Sequence, residues 1–163
     1  MSSAASPEAA APVASFDVLF EDQHERLYRA LYFVTGNRYD AEELMQDAFL
    51  RLWERWDRID RIGDPVGYLF KVALNGFRMR ARRARTAARR LVKAEQEPDP
   101  FEAIEEREDL RRLMLGLTAR QRAALVLVDV LGYGSEQAAD IMGIRPTTVR
   151  VLASQGRAAL RAT

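Results

Sequence analysis

Apolar residues recur every three or four positions through most of this 163-residue chain, which is the spacing of one face of an α-helix. The pattern predicts a first helix that begins near Ser15 and ends at Gly36-Asn37. Its apolar side consists of Phe16, Phe20, Leu27, Leu31 and Val34. No segment alternates convincingly in the manner of a β-strand and no internal repeat is present, so the sequence predicts an all-α fold.

The second predicted helix is DAEELMQDAFLRLWERW, which opens at Asp40. Asp40 and Glu43, three residues apart, resemble a capping box with aspartate in place of serine or threonine. We expect both tryptophans to fill the core as part of an apolar stripe made of Leu44, Met45, Ala48, Phe49, Leu52, Trp53 and Trp56. The opposite face is polar, and such a face is usually only solvated; it consists of Gln46, Asp47, Arg51, Glu54 and Arg55.

The segment DRIDRIG that follows is predicted to be a loop carrying Arg58 and Arg61. A third helix then starts with Asp64 as its cap and Pro65 in its first turn. Gly76 lies inside this helix, where glycine costs about 1 kcal/mol relative to alanine. The buried side of the helix is predicted to be Val66, Leu69, Phe70, Ala73 and Phe77.

Charge is divided unevenly along the middle of the chain, although the net charge is only +1. Residues 65–94 contain nine Lys/Arg and no Asp/Glu, whereas residues 95–109 contain eight Asp/Glu and one Arg. A solvated helix face usually has acids among its bases, so the basic block favours contact with a phosphate backbone. The arginines of this block are Arg78, Arg80, Arg82, Arg83, Arg85, Arg89 and Arg90.

The acidic segment that follows begins with EQEPDP, which is the best linker candidate because it has two prolines and no apolar residue. A fourth helix is predicted over about 101–116, with apolar residues Ile104, Leu110, Leu113, Met114 and Leu117. Thr118 and Gln121 make a second capping box. The helix that they start, ARQRAALVLVDVL, is almost wholly apolar in its second half, which predicts a central position.

The last segment, LGYGSEQAADIMGIRPTTVRVLASQGRAALR, has the pattern of a short helix, a tight turn and a longer basic helix. Ser135 is the predicted cap of the short helix, Gly143 its stop, and Pro146 the first residue of the long one. Small polar residues followed by arginines on one face suit a DNA major groove, although ordinary bundles also contain paired amphipathic helices. The residues left outside are Arg145, Thr147, Thr148, Arg150, Ser154 and Arg157.

Several kinds of protein are disfavoured by what the chain lacks. It has no cysteine, which excludes disulfides, and no apolar run near the roughly 20 residues of a membrane span. It also lacks a signal peptide, so we expect a cytoplasmic protein without membrane insertion. His24 is a lone histidine, no phosphate-binding loop is present, and no serine or lysine has an activating partner. We therefore expect no catalytic residue, no metal and no cofactor.

The predicted organisation is an all-α chain of two small helical domains joined by an acidic linker. Residues 1–14 form a disordered tail, and residues 15–93 form an N-terminal bundle of three helices. Residues 94–100 are the linker. Residues 101–163 form a four-helix domain that contains the helix-turn-helix.

At this level the sequence resembles the bacterial ECF sigma factors, a compact two-domain kind of transcription initiation factor. DAEELMQDAFLRLWERW is similar to the family's polymerase-binding helix, and GYLFKVALNGFRMRARR is similar to the helix that follows it. LTARQRAALVLVDVLGYGSEQAADIMGIRPTTVRVLASQGRAALR resembles the family's C-terminal domain and its helix-turn-helix. Each motif is moderately specific, but the ordered set is highly specific.

The resemblance implies three binding surfaces. The second helix would dock on the clamp coiled coil of core RNA polymerase through Gln46, Asp47, Arg51 and Glu54. The DRIDRIG loop and the third helix would open and read the promoter's minus-ten element through Arg58, Arg61, Lys71, Asn75, Arg78 and Arg82, with Asn75 meeting an unpaired base. The last helix would read the minus-thirty-five element through Arg145, Thr147, Thr148, Arg150, Ser154 and Arg157. Anti-sigma factors are common in the family, which makes one an expected partner, although no residue reports it.

The chain departs from the family pattern at several positions. Tyr68 replaces a usual tryptophan, and Met79 replaces a common aspartate. Ala153, Gln155 and Gly156 replace the arginine and histidine region of the last helix. We expect Gly156 to loosen that helix and the lost charge to weaken its hold on phosphate.

Two other classes of protein fit parts of the pattern. A stand-alone DNA-binding regulator would use the N-terminal bundle only to dimerise. A purely protein-binding helical module, such as an anti-sigma antagonist, has no need of the arginine run. For a sigma factor we also expect weak DNA binding without polymerase, because only the enzyme would hold both binding domains at a useful spacing.

Overall fold

The structure is a computed structural model that describes residues 15–88, 112–114 and 116–162. These residues are helical, with no strand among them, which confirms the all-α prediction. The tail predicted at 1–14, the linker at 94–100 and nearly all of the helix predicted at 101–116 lie outside the described residues, as does residue 163. The predicted domain boundaries therefore remain predictions.

The N-terminal unit consists of three long helices and one short one. They are α1 (Phe16–Thr35), α2 (Arg38–Glu54), a 3-10 helix (Trp56–Arg61) and α3 (Pro65–Ala88). The predicted loop DRIDRIG is thus mostly 3-10 helix, so that prediction was wrong. Leu27, Leu31, Leu44, Leu52 and Leu69 are almost fully buried where the three long helices meet.

The helix ends of this unit follow capping chemistry, with one correction. Helix α1 begins after Ser15 and ends at Gly36, as predicted; in addition, Ser15 caps it and Gly36 is left-handed. Helix α2 begins at Arg38 rather than at Asp40, because the Asn37 side chain accepts from the Asp40 N–H at 3.1 Å. The expected capping box of Asp40 and Glu43 is therefore wrong, and both carboxylates turn instead toward α3.

The C-terminal unit is built around the predicted apolar helix. Helix α4 (Ala119–Leu125) starts at the predicted capping box of Thr118 and Gln121 and continues as a wider π-helical turn, Val126–Val130. Helices α5 (Ser135–Met142) and α6 (Pro146–Arg161) form the helix-turn-helix, with Gly143 left-handed between them and Pro146 in the first turn of α6. Gly134, not Ser135, occupies the cap position of α5, without a side-chain cap.

The two units pack on each other: α5 lies on α3, and α4 lies on α1. Arg122 is the one buried charged residue among those described, and its guanidinium joins the units. Its Nε donates to the Val34 carbonyl of α1 at 2.8 Å, and its Nη1 donates to the Leu117 carbonyl at 2.6 Å. Burial lowers the pKa of Arg122 from its usual value.

Two glycines allow close approach of helices. A Cβ at Gly76 would lie 3.0 Å from a methyl of Leu44, which explains glycine inside α3. A Cβ at Gly156 would lie 2.7 Å from Leu125 Cδ1 and 3.0 Å from its Cγ. Gly156 is buried and α6 is helical through Arg161, so the structure gives no sign of the expected loosening.

We predict that Gly156→Ala lowers the free energy of unfolding by about 1 kcal/mol. The added methyl overpacks the contact with Leu125 at about 1–3 kcal/mol, which outweighs the roughly 1 kcal/mol gained from replacing glycine in a helix. Urea unfolding followed by circular dichroism measures the change. In a Leu125→Ala background the same substitution should stabilise, because the clash is gone. Equal destabilisation in both backgrounds would contradict this account.

Candidate nucleic-acid interface

A basic cleft of about 980 Å³ lies between the two units. Helices α2 and α3 form one wall, and α4 with the end of α5 forms the other. Asp47 is the one acid among the residues that line it. The cationic lining residues are Arg51, Arg55, Lys71, Arg78, Arg80, Arg82, Arg83 and Arg120. Such a field attracts an anionic polymer.

Four of the six residues predicted for the minus-ten element form one stripe along α3. Lys71, Asn75, Arg78 and Arg82 follow one another at intervals of four, three and four residues, so they share a helix face. All four are exposed and line the cleft. The amide of Asn75 therefore lies among cations, where it can offer both a donor and an acceptor to a base.

The other two predicted residues, Arg58 and Arg61, are exposed on the 3-10 helix and do not line the cleft. Tyr68, which stands where the family has tryptophan, does line it. The Arg55 guanidinium lies over its ring, 5.9 Å from the centroid. An aromatic ring at the cleft is a surface on which a base can stack.

Helix α5 occupies part of the stripe. The Arg78 guanidinium donates to the Met142 carbonyl at 3.3 Å, and Lys71 Nζ lies 3.8 Å from Asp140 Oδ1. Neither contact was foreseen from the sequence, since both join residues more than sixty positions apart.

Arg80 belongs to the basic run but faces α2. Its guanidinium lies 3.0 Å from Glu43, 3.5 Å from Asp40 and 3.6 Å from Asp47. The three carboxylates are spaced by three and four residues, which forms an acidic row on one side of α2. That spacing was readable in the sequence, and the structure shows that Arg80, like Arg78, contacts the protein itself.

The residues predicted to bind polymerase, Gln46, Asp47, Arg51 and Glu54, are all exposed on α2. Two large apolar residues are exposed beside them: Leu50 at 56% and Trp53 at 57%. Trp53 was expected in the core, and that expectation was wrong; its indole packs on Phe16 with ring centroids 4.9 Å apart. Aromatic and aliphatic side chains among charges are typical of a protein-binding surface.

The outer face of α6 is small and uncharged. Thr147, Val151, Ser154 and Ala158 are spaced by four, three and four residues, and all are exposed. Val151 is 53% exposed and was missed, because a valine in a helix is normally assigned to the core. Thr148, also predicted to bind DNA, is half-buried.

The predicted arginines of α6 flank this face. Arg145 is exposed at the helix start, and Arg150 donates to the Ser135 hydroxyl at 3.1 Å. Arg157 makes two hydrogen bonds to Asp129, at 2.7 and 3.0 Å. The hydrogen bond to Asp129 raises the pKa of Arg157. Arg157 is therefore held against its own unit.

The lone histidine, His24, contacts Phe20 of its own helix. His24 Nδ1 lies 2.8 Å from the Phe20 carbonyl, and its ring stacks on that of Phe20. No cluster of three potential metal ligands occurs in the part of the chain that the structure describes. Within the same residues, no helix has both the length and the apolar character needed to span a membrane.

Comparison with known proteins finds sigma-factor families and relatives. Residues 19–87 match the family described as Sigma-70 region 2, and residues 107–160 match Sigma-70, region 4. The chain is 32% identical over 161 residues to the ECF RNA polymerase sigma factor SigE of Mycolicibacterium smegmatis, covering 93% of this chain but only 62% of that protein. It is 27% identical to the ECF RNA polymerase sigma factor SigM of Mycobacterium tuberculosis, covering 90% of this chain and 75% of that one.

Solved structures share the fold. The sigma factor RpoE, in complex with the anti-sigma factor NepR from Bartonella quintana, superimposes with a TM-score of 0.71 at 22% identity, over 90% of this chain and 94% of that one. CnrH, in complex with the cytosolic domain of CnrY, gives a TM-score of 0.63 at 24% identity, over 90% and 85% of the two chains.

Proposed function

This chain belongs to the sigma-70 family of RNA polymerase sigma factors, in its ECF branch, and we propose that it binds core polymerase and directs promoter-specific initiation. The observation that carries the proposal is Asn75, an exposed amide in the middle of a cationic stripe. A factor of this kind has no catalysis of its own: it places the enzyme on DNA. Cytoplasmic location and an anti-sigma partner belong to the same proposal.

At the minus-ten element, some residues of the α3 stripe position the DNA strand and one reads a base. Lys71, Arg78 and Arg82 hold successive phosphates, which sets the register of the strand but carries no sequence information. An unstacked base then meets the Asn75 amide, which can pair with its exposed edge. Arg58 and Arg61 hold the DNA strand where it passes the 3-10 helix before α3.

At the minus-thirty-five element, α6 enters the major groove with its small face inward. Thr147 and Ser154 can hydrogen-bond to base edges, and Val151 between them can contact a thymine methyl. Small side chains let the helix approach closely, which suits direct contact. Arg145 at the helix start holds phosphate.

On the polymerase side, α2 offers the clamp coiled coil a mixed surface. Leu50 and Trp53 supply apolar area, and Asp47 and Arg51 supply charges that fix the register of docking. An edge-on contact with Phe16 restrains the indole of Trp53, so little side-chain entropy is lost on binding.

The first test is charge reversal on α2. Asp47→Arg should weaken binding to core polymerase at least tenfold and abolish run-off transcription from genomic promoter fragments. Glu43→Arg is the matched control for the charge reversal and the lost ion pair, because it breaks the shorter contact with Arg80 and is not a predicted docking residue. It should weaken polymerase binding less than Asp47→Arg does. A stand-alone regulator would bind DNA and ignore polymerase in every variant, and that result would remove the proposal.

The second test concerns the amide of α3. Asn75→Ala should lower affinity for a single-stranded minus-ten probe about tenfold, the size of one lost base-reading contact. Fluorescence anisotropy with polymerase holoenzyme measures it. Met79→Ala, one turn further on and also exposed, should change affinity less than twofold. Equal effects of the two substitutions would mean that Asn75 does not read a base.

The third test separates two arginines of α6. Arg145→Gln should weaken minus-thirty-five duplex binding and reduce the slope of log K against log salt by about one. Arg157→Gln should leave that slope unchanged, because Arg157 is held by Asp129. A slope that is reduced by Arg157→Gln and unchanged by Arg145→Gln would show that Arg157 leaves Asp129 to bind phosphate.

A further inference from the structure

A relay of hydrogen bonds runs from the start of α4 to the exposed side of α6. The Thr118 backbone N–H donates to Gln121 Oε1 at 3.0 Å, as part of the capping box. Gln121 Nε2 then donates to Gln155 Oε1 at 3.4 Å. Because the oxygen of Gln121 faces the helix cap, its nitrogen faces Gln155, and Gln155 presents its oxygen in return. The relay therefore fixes the orientation of the Gln155 amide.

The Gln155 amide keeps hydrogen-bonding capacity for a ligand. Its side chain is exposed, and among the described residues its amide bonds only to Gln121. The Nε2 group still has its N–H donors, and Oε1 can accept a second hydrogen bond. An amide with a donor and an acceptor side by side is the group that binds N7 and the N6 amino group of adenine in the major groove.

Val151 lies one helical turn before Gln155, so the two side chains are neighbours on α6. Val151 is 53% exposed, although a large aliphatic side chain is normally buried. An aliphatic side chain on a DNA-reading helix can contact the C5 methyl group of thymine. The pair Val151 and Gln155 thus matches the two groups that distinguish A·T pairs in the major groove.

Arg150 and Arg157, the two arginines inside α6, are bonded within the C-terminal unit. Arg150 donates to the Ser135 hydroxyl, and Arg157 makes two hydrogen bonds to Asp129. The other arginines of this segment lie at the two ends of the helix. Guanine is commonly read by a bidentate arginine. The middle of α6 therefore presents an amide and an aliphatic group rather than a guanidinium.

We propose that Gln155 and Val151 make the minus-thirty-five reading specific for two adjacent A·T pairs, with Gln121 as a positioning residue. This inference rests on the proposed function and adds the base specificity. Gln155 Oε1 accepts from the N6 amino group of an adenine, and Gln155 Nε2 donates to N7 of the same base. The Val151 side chain packs on the methyl group of a thymine in the neighbouring pair. The relay through Gln121 holds the amide ready, so less side-chain entropy is lost on binding.

The specificity is tested by selection from a DNA pool. Holoenzyme assembled from core polymerase and the full chain selects duplexes from a genomic promoter fragment randomised across its minus-thirty-five element. The unaltered chain should select adjacent A·T pairs. Gln155→Ala should relax the adenine position at least about fivefold, the lower range for a bidentate contact, and Gln155→Arg should change that adenine to guanine. Val151→Ala should relax only the thymine position. A selected sequence that is the same for all four chains would overturn the proposal.

Base analogues then assign each contact on the selected duplex. An adenine analogue with C–H in place of N7 should lower holoenzyme affinity about fivefold, because the Gln155 donor loses its acceptor. Deoxyuridine in place of the thymine removes one methyl group and should lower affinity about threefold. Fluorescence anisotropy measures both. The first loss should vanish in Gln155→Ala and the second in Val151→Ala. Losses that persist in these variants would assign the contacts to other side chains and overturn the proposal.

The role of the relay is tested at Gln121. Gln121→Glu keeps a capping-box residue at this position but removes the N–H that faces Gln155. The added negative charge weakens binding to every sequence alike, so the measurement is the ratio of affinities for adenine and guanine at the Gln155 position. This ratio should fall about threefold, the size of one hydrogen bond, and should not fall further in a Gln155→Ala background. An unchanged ratio would show that Gln121 does not position the amide.

The outcomes separate this inference from the proposed function. If the unaltered chain supports no promoter-dependent transcription with core polymerase, the proposed function fails. If it does support transcription but the selected bases do not depend on Gln155 or Val151, the function stands and the proposed base specificity is wrong.

Discussion

The arrangement of the two units depends on the buried guanidinium of Arg122. A charge inside a protein is costly unless its hydrogen-bonding groups are satisfied, and Arg122 is satisfied by backbone carbonyls alone: Val34 of the N-terminal unit, and Leu117 and Met114 of its own. Val34 lies in the last turn of α1, where a cation is favoured. Separation of the units would break the Val34 bond and keep the other two. The Val34 bond therefore helps to fix how the two units are placed relative to each other.

Glycine sets how closely the helices approach around this joint. At Gly76 the backbone of α3 lies against Leu44 of α2, and at Gly156 that of α6 lies against Leu125 of α4. Close approach at Gly76 keeps the acidic row of α2 within reach of Arg80. Close approach at Gly156 turns the opposite, uncharged face of α6 toward solvent. Two positions that look unfavourable by helix propensity thus allow the close helix contacts next to both proposed DNA surfaces.

Helical periodicity predicted the fold class from the sequence. Capping residues predicted most helix ends, because capping groups act within a few residues. The features that the sequence did not predict were of two kinds: the choice between neighbouring cap residues, and contacts between residues far apart in the sequence. Asn37, not Asp40, caps α2. Trp53 could not be assigned correctly, since apolar periodicity does not distinguish a core residue from one on a docking surface. The stripe of Lys71, Asn75, Arg78 and Arg82 was recoverable from spacing. Its coverage by α5, and the pairing of Arg157 with Asp129, depend on tertiary packing that spacing alone does not report.

The acidic row of α2 has an effect beyond its contact with Arg80. One guanidinium cannot neutralise three carboxylates, so Asp40, Glu43 and Asp47 leave this side of α2 anionic beside the cationic stripe of α3. A polyanion drawn to α3 is repelled along that border, which restricts its sideways drift. Under the proposed function, this border would keep nucleic acid on α3 and leave this side of α2 to protein.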